Sequence, residues 1–411
     1  MDGKLDPRNN RSRTHIQSME LRVGPGGEIE GLSDKTLQAG VDYLHRLGGG
    51  TLHIQPGQYR MQNALYLRQG VHIQGSGQDC VLRKEPSVCS ELVCDSDWYE
   101  SQVRVADPTG FSAGCGIALR SQHAGALQVI KDTVTAVEGD ILHLSKRLEK
   151  NAWLSEGATA ATLFPLLTAE WVDDITVEDI VLDGHREANE ELNGNYVGGV
   201  FLQHCDRYRF RRVVSRNFNG DGFSFQVCDD IHFEECRAEN NANLGFHPGS
   251  GSQRPRFYDC HARENSQGIF FCWGVTDGLA QRCTLSNNSA YGCSIGHRDT
   301  DNRLLECTLE RNGLHGLLFR QPLSAFRGAH RNRIEQCLFR DNGARGEGVA
   351  IEFQGAAHDV ALLGNRFENT DQSRENTAIR LSAESTGTHI EKNTYHSVTH
   401  ELVHKQPSDA R

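Results

Sequence analysis

Seven glycines mark the second half of the 411-residue chain at a near-constant interval: Gly199, Gly222, Gly245, Gly268, Gly292, Gly316 and Gly348. The steps are 23, 23, 23, 24, 24 and 32 residues. An apolar-x-apolar tripeptide follows most of them, as in Val200-Phe201-Leu202, Phe223-Ser224-Phe225, Ile269-Phe270-Phe271, Cys293-Ser294-Ile295, Leu317-Leu318-Phe319 and Val349-Ala350-Ile351. Only Phe246-His247-Pro248 bends the pattern. Strands this close together leave no room for strand-helix-strand units. They fit one strand per turn of a parallel solenoid, in which each turn buries its apolar face only against its neighbours.

The rest of the chain agrees. Forty-two glycines and 7% aromatic residues suit a turn-rich β protein, and a solenoid of this length needs no division into domains. A formal charge of -11 argues against a general affinity for nucleic acid or anionic membrane. No lysine occurs between Lys150 and Lys392, so a cation within the repeats has to be arginine or histidine. No apolar run is long enough to span a bilayer, and Met1 to Met19 has no signal-peptide core. The chain as it stands reads as cytoplasmic, or as secreted or periplasmic if a signal has been removed.

Five of the thirteen cysteines, Cys236, Cys260, Cys283, Cys307 and Cys337, occupy one position of successive repeats. Stacked at the strand spacing of ~4.8 Å they form an internal ladder of small apolar fillers. Cys-x-x-Cys spacing is absent, which leaves a zinc site without support. A second ladder, Asn217, Asn240, Asn241, Asn265, Asn288, Asn312 and Asn342, falls at a recurring bend. There asparagine tolerates the left-handed backbone and hydrogen-bonds its neighbours.

Along the chain, residues 1–30 read as a loose arm. Lys35 to Leu47 is amphipathic, with Leu37, Val41, Leu44 and Leu47 on one stripe, and predicts a helix that caps the open end of the coil. This helix and the first coils occupy residues 31–84. Residues 85–170 break the period as an inserted β excursion. The coils that carry the candidate site run over 171–399, and 400–411 is a frayed tail.

The opening segment Leu47-Gly-Gly-Gly-Thr-Leu-His-Ile-Gln-Pro-Gly-Gln-Tyr59 and the later Val71-His-Ile-Gln-Gly-Ser-Gly77, with the asparagine ladder, resemble pectate-lyase-like proteins. The resemblance covers most of the chain and implies a single-stranded right-handed parallel β-helix. It implies no particular reaction, because that superfamily includes lyases, hydrolases, epimerases, fructan transferases and tailspikes. The paired-aspartate and Gly-His-Gly motifs of polygalacturonases have no match here, so no catalytic residue carries over.

Side chains alternate along a strand, which places Gln226, His247, Phe270, Ser294, Arg320 and Glu352 on the outer face. Trp273, Arg254 and the cluster Gly296-His297-Arg298-Asp299-Thr300-Asp301-Asn302 follow in the adjoining turns. Two rungs between Asp299 and Glu352 mean ~10 Å, near the window for inverting glycosidases. The leading expectation is therefore a glycoside hydrolase using these two carboxylates on a poly- or oligosaccharide. The alternative is a polysaccharide lyase, with His297 or His247 as base and Arg320 gripping a uronate. Epimerase, fructan transferase and non-catalytic glycan-binding module stay open. Trp273, Arg298, Arg254, Gln226 and Asp301 are the candidate substrate-binding residues. No cofactor is expected, with calcium on Asp299, Asp301 and Asn302 as a lesser alternative for the same loop. Neither a nucleic-acid nor a membrane partner is expected, and homo-oligomerisation is left open.

Overall fold

The computed structural model describes residues 19–192, 196–371 and 373–405. Each full coil contributes one short strand to each of three parallel sheets, of twelve, eleven and eleven strands. The order within a coil is first sheet, second sheet, third sheet, as in Thr176–Glu178, Val181–Asp183 and Val200–Gln203. The protein is an all-β, right-handed parallel β-helix.

Apolar residues point inward from all three sheets and stack on themselves from coil to coil. Phe223 lies on Phe246 at 5.0 Å and Phe210 on Phe233 at 5.0 Å, with planes nearly parallel. The five laddered cysteines are free thiols and fully buried beside them. The asparagines divide into two sets. Asn241, Asn265, Asn288, Asn312 and Asn342 form an interior ladder in which each Nδ2 donates to the next Oδ1. Asn217 and Asn240 lie one position earlier, on the outside, at φ +58° and +53°. The single bend inferred from sequence is therefore two adjacent positions with different duties.

The capping helix spans Asp34–Arg46, with the Ser33 hydroxyl accepting from the Thr36 N–H at 3.3 Å. Leu37, Val41 and Leu44 are buried, whereas Leu47 caps the C-terminus and is exposed. A Cβ on Gly40 would lie 2.6 Å from Leu52, so this glycine lets the helix settle on the first coil. The part of the expected loose arm that is described is ordered differently: Glu20–Val23 is the edge strand of the first sheet. Residues 1–18 of that arm lie outside the described residues.

Two further boundaries differ from the sequence expectation. The excursion is a six-stranded antiparallel sheet, but the coil is re-entered at Leu167–Glu170, before residue 171. The tail is not frayed at its start, because His400–His404 closes the third sheet against Thr377–Leu381. Residues 406–411 are outside the described set.

Lys84, at the junction of coil and excursion, is a buried lysine whose Nζ donates to the Phe164 carbonyl at 2.9 Å. Burial pushes its pKa down to about 7. The folded value lies below that of the unfolded chain (~10.4), so the unfolded state binds more protons between them. Stability is expected to rise with pH from about 7 to about 10.4, by up to ~1.4 kcal/mol per pH unit. Lys84→Met should flatten that rise in denaturant titrations across the window. An unchanged slope would refute the assignment.

Candidate functional site on the third sheet

The outer face of the third sheet brings most of the candidate residues together. Its central row runs Phe201, Ser224, His247, Phe270, Ser294, Leu318, Glu352 and Arg380 on successive strands. Glu352 thus pairs with Leu318, not with Arg320. The expected alignment slipped by two because Ala350, not Gly348, continues the glycine position of Gly316. A second row, at the residue before each glycine, reads Leu244, Gln267, Tyr291 and His315.

His247 is buried, and its Nδ1 lies 2.7 Å from the carboxylate of Asp221, which is fully buried. Burial alone would lower its pKa, but Asp221 and the neighbouring Cys272 thiol outweigh it and raise the value to about 9. At neutral pH His247 is therefore an imidazolium rather than the base proposed from sequence. Among the described residues its buried Nε2 has no hydrogen-bond partner.

Arg320 is held across three coils. It donates to Ser294 Oγ at 2.7 Å, to the Phe271 carbonyl and to Asp299 at 3.1 Å, with its guanidinium over the Phe270 ring. Gly296 permits this, since a Cβ there would lie 2.5 Å from Arg320 Nε. Gln226 folds back in the same way over Gly249 and accepts from the Ser250 N–H at 2.8 Å.

The two carboxylates proposed for hydrolysis are otherwise engaged. Asp299 is 0% exposed and accepts from the N–H groups of Gly274, Val275 and Gly296 at 2.8–3.0 Å as well as from Arg320. Burial raises its pKa against the pull of Arg320 and those N–H groups. Glu352, 1% exposed, lies between Arg380 at 2.5 Å and Lys405 at 2.6 Å. The alternative calcium trio is dispersed as well: Asp301 bonds Arg331 through both oxygens, and Asn302 is fully buried, accepting from the Gly278 N–H and donating to the Val275 carbonyl. Arg254 is clamped on Asp229 and Asp230, away from the face. Trp273 is exposed, with His297 packed beneath it at 4.9 Å and Arg298 following in the same turn. Burial and the nearby arginines lower the pKa of His297.

The sequence reading missed Tyr291 and His315, whose rings are parallel at 5.8 Å and half-buried on the face. The signal lay in the position before each glycine, whereas only the residues after it were read. His315 donates from Nδ1 to the Val349 carbonyl at 3.1 Å, leaving Nε2 as the free lone pair. Burial lowers the pKa of His315 and raises that of Tyr291. At neutral pH one group is a neutral base and its neighbour a protonated acid. The expectation that only arginine or histidine could bring positive charge here also needs correction. Lys131 reaches over Phe201 from the excursion, with Nζ 4.0 Å from the ring centre, and Lys405 arrives from the last strand.

The model of the right-handed beta helix region matches residues 183–321 and 274–395, together more than half of the chain. The protein belongs to this right-handed β-helix family. No curated protein matches its sequence. Among solved structures it is similar to the A-module of the Azotobacter vinelandii mannuronan C-5 epimerase AlgE6, at 16% identity and a TM-score of 0.58. That likeness covers 91% of this chain and 92% of that one. The AlgE4 A-module of the same organism gives 13% identity and 0.58, over 91% and 94%. A glycoside hydrolase gives 9% and 0.50, over 91% and 96%. At these identities the likeness is one of fold. Among the described residues no helix is long and apolar enough to cross a membrane.

Proposed function

We propose that this protein is a carbohydrate-active enzyme that binds a uronate-containing glycan along the third sheet and abstracts the proton beside the sugar carboxylate. The observation that carries this reading is the pair Tyr291 and His315, side by side on an open face with pKa values displaced in opposite directions. Hydrolysis needs two available carboxylates, and Asp299 and Glu352 are both consumed by internal partners. The epimerases and the glycoside hydrolase among the structural neighbours support a glycan as the substrate class.

In this scheme His315 Nε2 takes the proton from the carbon bearing the carboxylate. The charge that develops on the carboxylate is stabilised by the cations of the face, Arg320 and the His247 imidazolium. Proton return to the opposite side of that carbon inverts it, whereas departure of the neighbouring glycosidic oxygen gives an unsaturated end. Tyr291 is the proton donor for either outcome.

The test is incubation with acidic and neutral polysaccharides in heavy water, with three signals followed together. The expected result, on an acidic glycan, is deuterium at the carboxylate-bearing carbon where the proton is returned, or ultraviolet absorbance from unsaturated uronate where the glycosidic oxygen departs. New reducing ends on a neutral glycan, with neither of the other signals, would overturn the proposal in favour of hydrolysis.

A further inference from the structure

The turns that follow the third sheet carry a second concave feature. Strand Gln267–Phe270 leads into Trp273, strand Tyr291–Ile295 into Arg298, and strand His315–Phe319 into a longer loop containing the short turn Ala325–Arg327. Between them lies a cleft of about 810 Å³ whose lining includes Trp273, Arg298, Phe326 and His330. Trp273 is 57% exposed and Phe326 83%. Two large aromatic rings left in water beside one cleft forgo the stabilisation that burial of such side chains gives. Their supports are ordered: His297 backs Trp273, and His330 stacks on His358 at 4.7 Å.

Charge gives the second observation. Arginines on neighbouring turns are clamped onto aspartates, as in Arg254 on Asp230, Arg282 on Asp259 and Arg331 on Asp301. Arg298 and Arg327 differ. Among the described residues neither has a carboxylate partner, in a chain whose formal charge is -11. They occupy successive rungs, the Arg298 N–H donating to the Arg327 carbonyl at 2.9 Å, and both are exposed. Free guanidiniums beside exposed aromatic faces suit a ligand with flat apolar surfaces and repeated anionic groups.

We propose that this cleft is a second glycan subsite, outside the reacting face, that holds further units of an anionic sugar chain. Sugar rings pack on Trp273 and Phe326, and their carboxylates meet Arg298, which lines the cleft, and reach Arg327, the exposed residue next to Phe326 in the chain. The inference rests on the reading of the substrate as a uronate-containing glycan. The turns that line the cleft continue directly from strands of the third sheet.

The experiment compares the full chain with the variants W273A/F326A and R298Q/R327Q. Uronate oligosaccharides of increasing length are titrated calorimetrically, beside neutral oligosaccharides and a single-stranded oligonucleotide. Each variant is expected to lose about tenfold or more in affinity for the longer uronate chains and far less for the shortest. The arginine variant should also lose most of the salt dependence of binding. Equal affinities for wild type and both variants at every length would overturn the proposal. So would a neutral chain or the oligonucleotide binding as tightly as the uronate. Length-dependent uronate binding that the variants abolish, without any turnover, would uphold the subsite while refuting the proton-abstraction reading.

Discussion

Replacing His315 by glutamine is expected to lower kcat on a uronate glycan by about 10²–10⁴-fold, the range that a positioned proton-transfer group supplies. Glutamine can still donate to the Val349 carbonyl but offers no basic nitrogen, so the thermal midpoint should stay near that of the wild type. Tyr291→Phe should reduce kcat over a similar range, because it keeps the ring stacked on His315 and removes only the phenol. KM should change little in either variant, since neither removes a cation that grips the substrate. The pH profile gives an independent check. His315 must be neutral to act, and burial lowers its pKa, so the acidic limb of kcat should lie below the ordinary histidine value of ~6.5. Full activity in both variants would remove the pair from the mechanism.

How far the sequence disclosed this site depends on which interaction sets each position. The solenoid was legible because one apolar strand per turn imposes a period that composition cannot disguise, and the glycines report it directly. The cysteine ladder followed from the same period. Glu352 was misplaced because the last spacing, 32 residues, mixes a longer loop with a strand that enters two residues off the glycine frame. Asp299 and Arg320 were recognised as important, but sequence cannot distinguish a reactive carboxylate from one saturated by three backbone N–H groups. That depends on the turn at Gly274 and Val275, one coil away. Lys131 lies outside the repeats in sequence, yet the excursion folds back and delivers it to Phe201. Long-range return of this kind leaves no periodic trace.

The interior asparagines are the place where a single substitution should damage the fold most. Asn288 is 1% exposed and makes four contacts through one amide. Its Oδ1 accepts from the Asn265 N–H at 3.1 Å and from Asn265 Nδ2 at 3.3 Å, while its Nδ2 donates to the Ala262 carbonyl at 3.2 Å and to Asn312 Oδ1 at 2.9 Å. Asn288→Ala leaves the Asn265 backbone N–H without a partner and removes the side-chain donor from the Ala262 carbonyl, in a space closed to water. An unpaired buried group costs ~1–3 kcal/mol, so the loss should be about 2–3 kcal/mol. Asn217→Gly is the contrasting case. Asn217 is at φ +58° on the outer bend, where glycine adopts the same conformation without strain, and the change should be within ~0.5 kcal/mol. Denaturant midpoints should separate the two variants clearly. Because each coil is stabilised by its immediate neighbours, hydrogen exchange should accelerate first at Asn265 and Asn288 and spread outward from that pair of coils. Uniform acceleration along the whole solenoid would mean that the ladder is one cooperative unit rather than a chain of local links.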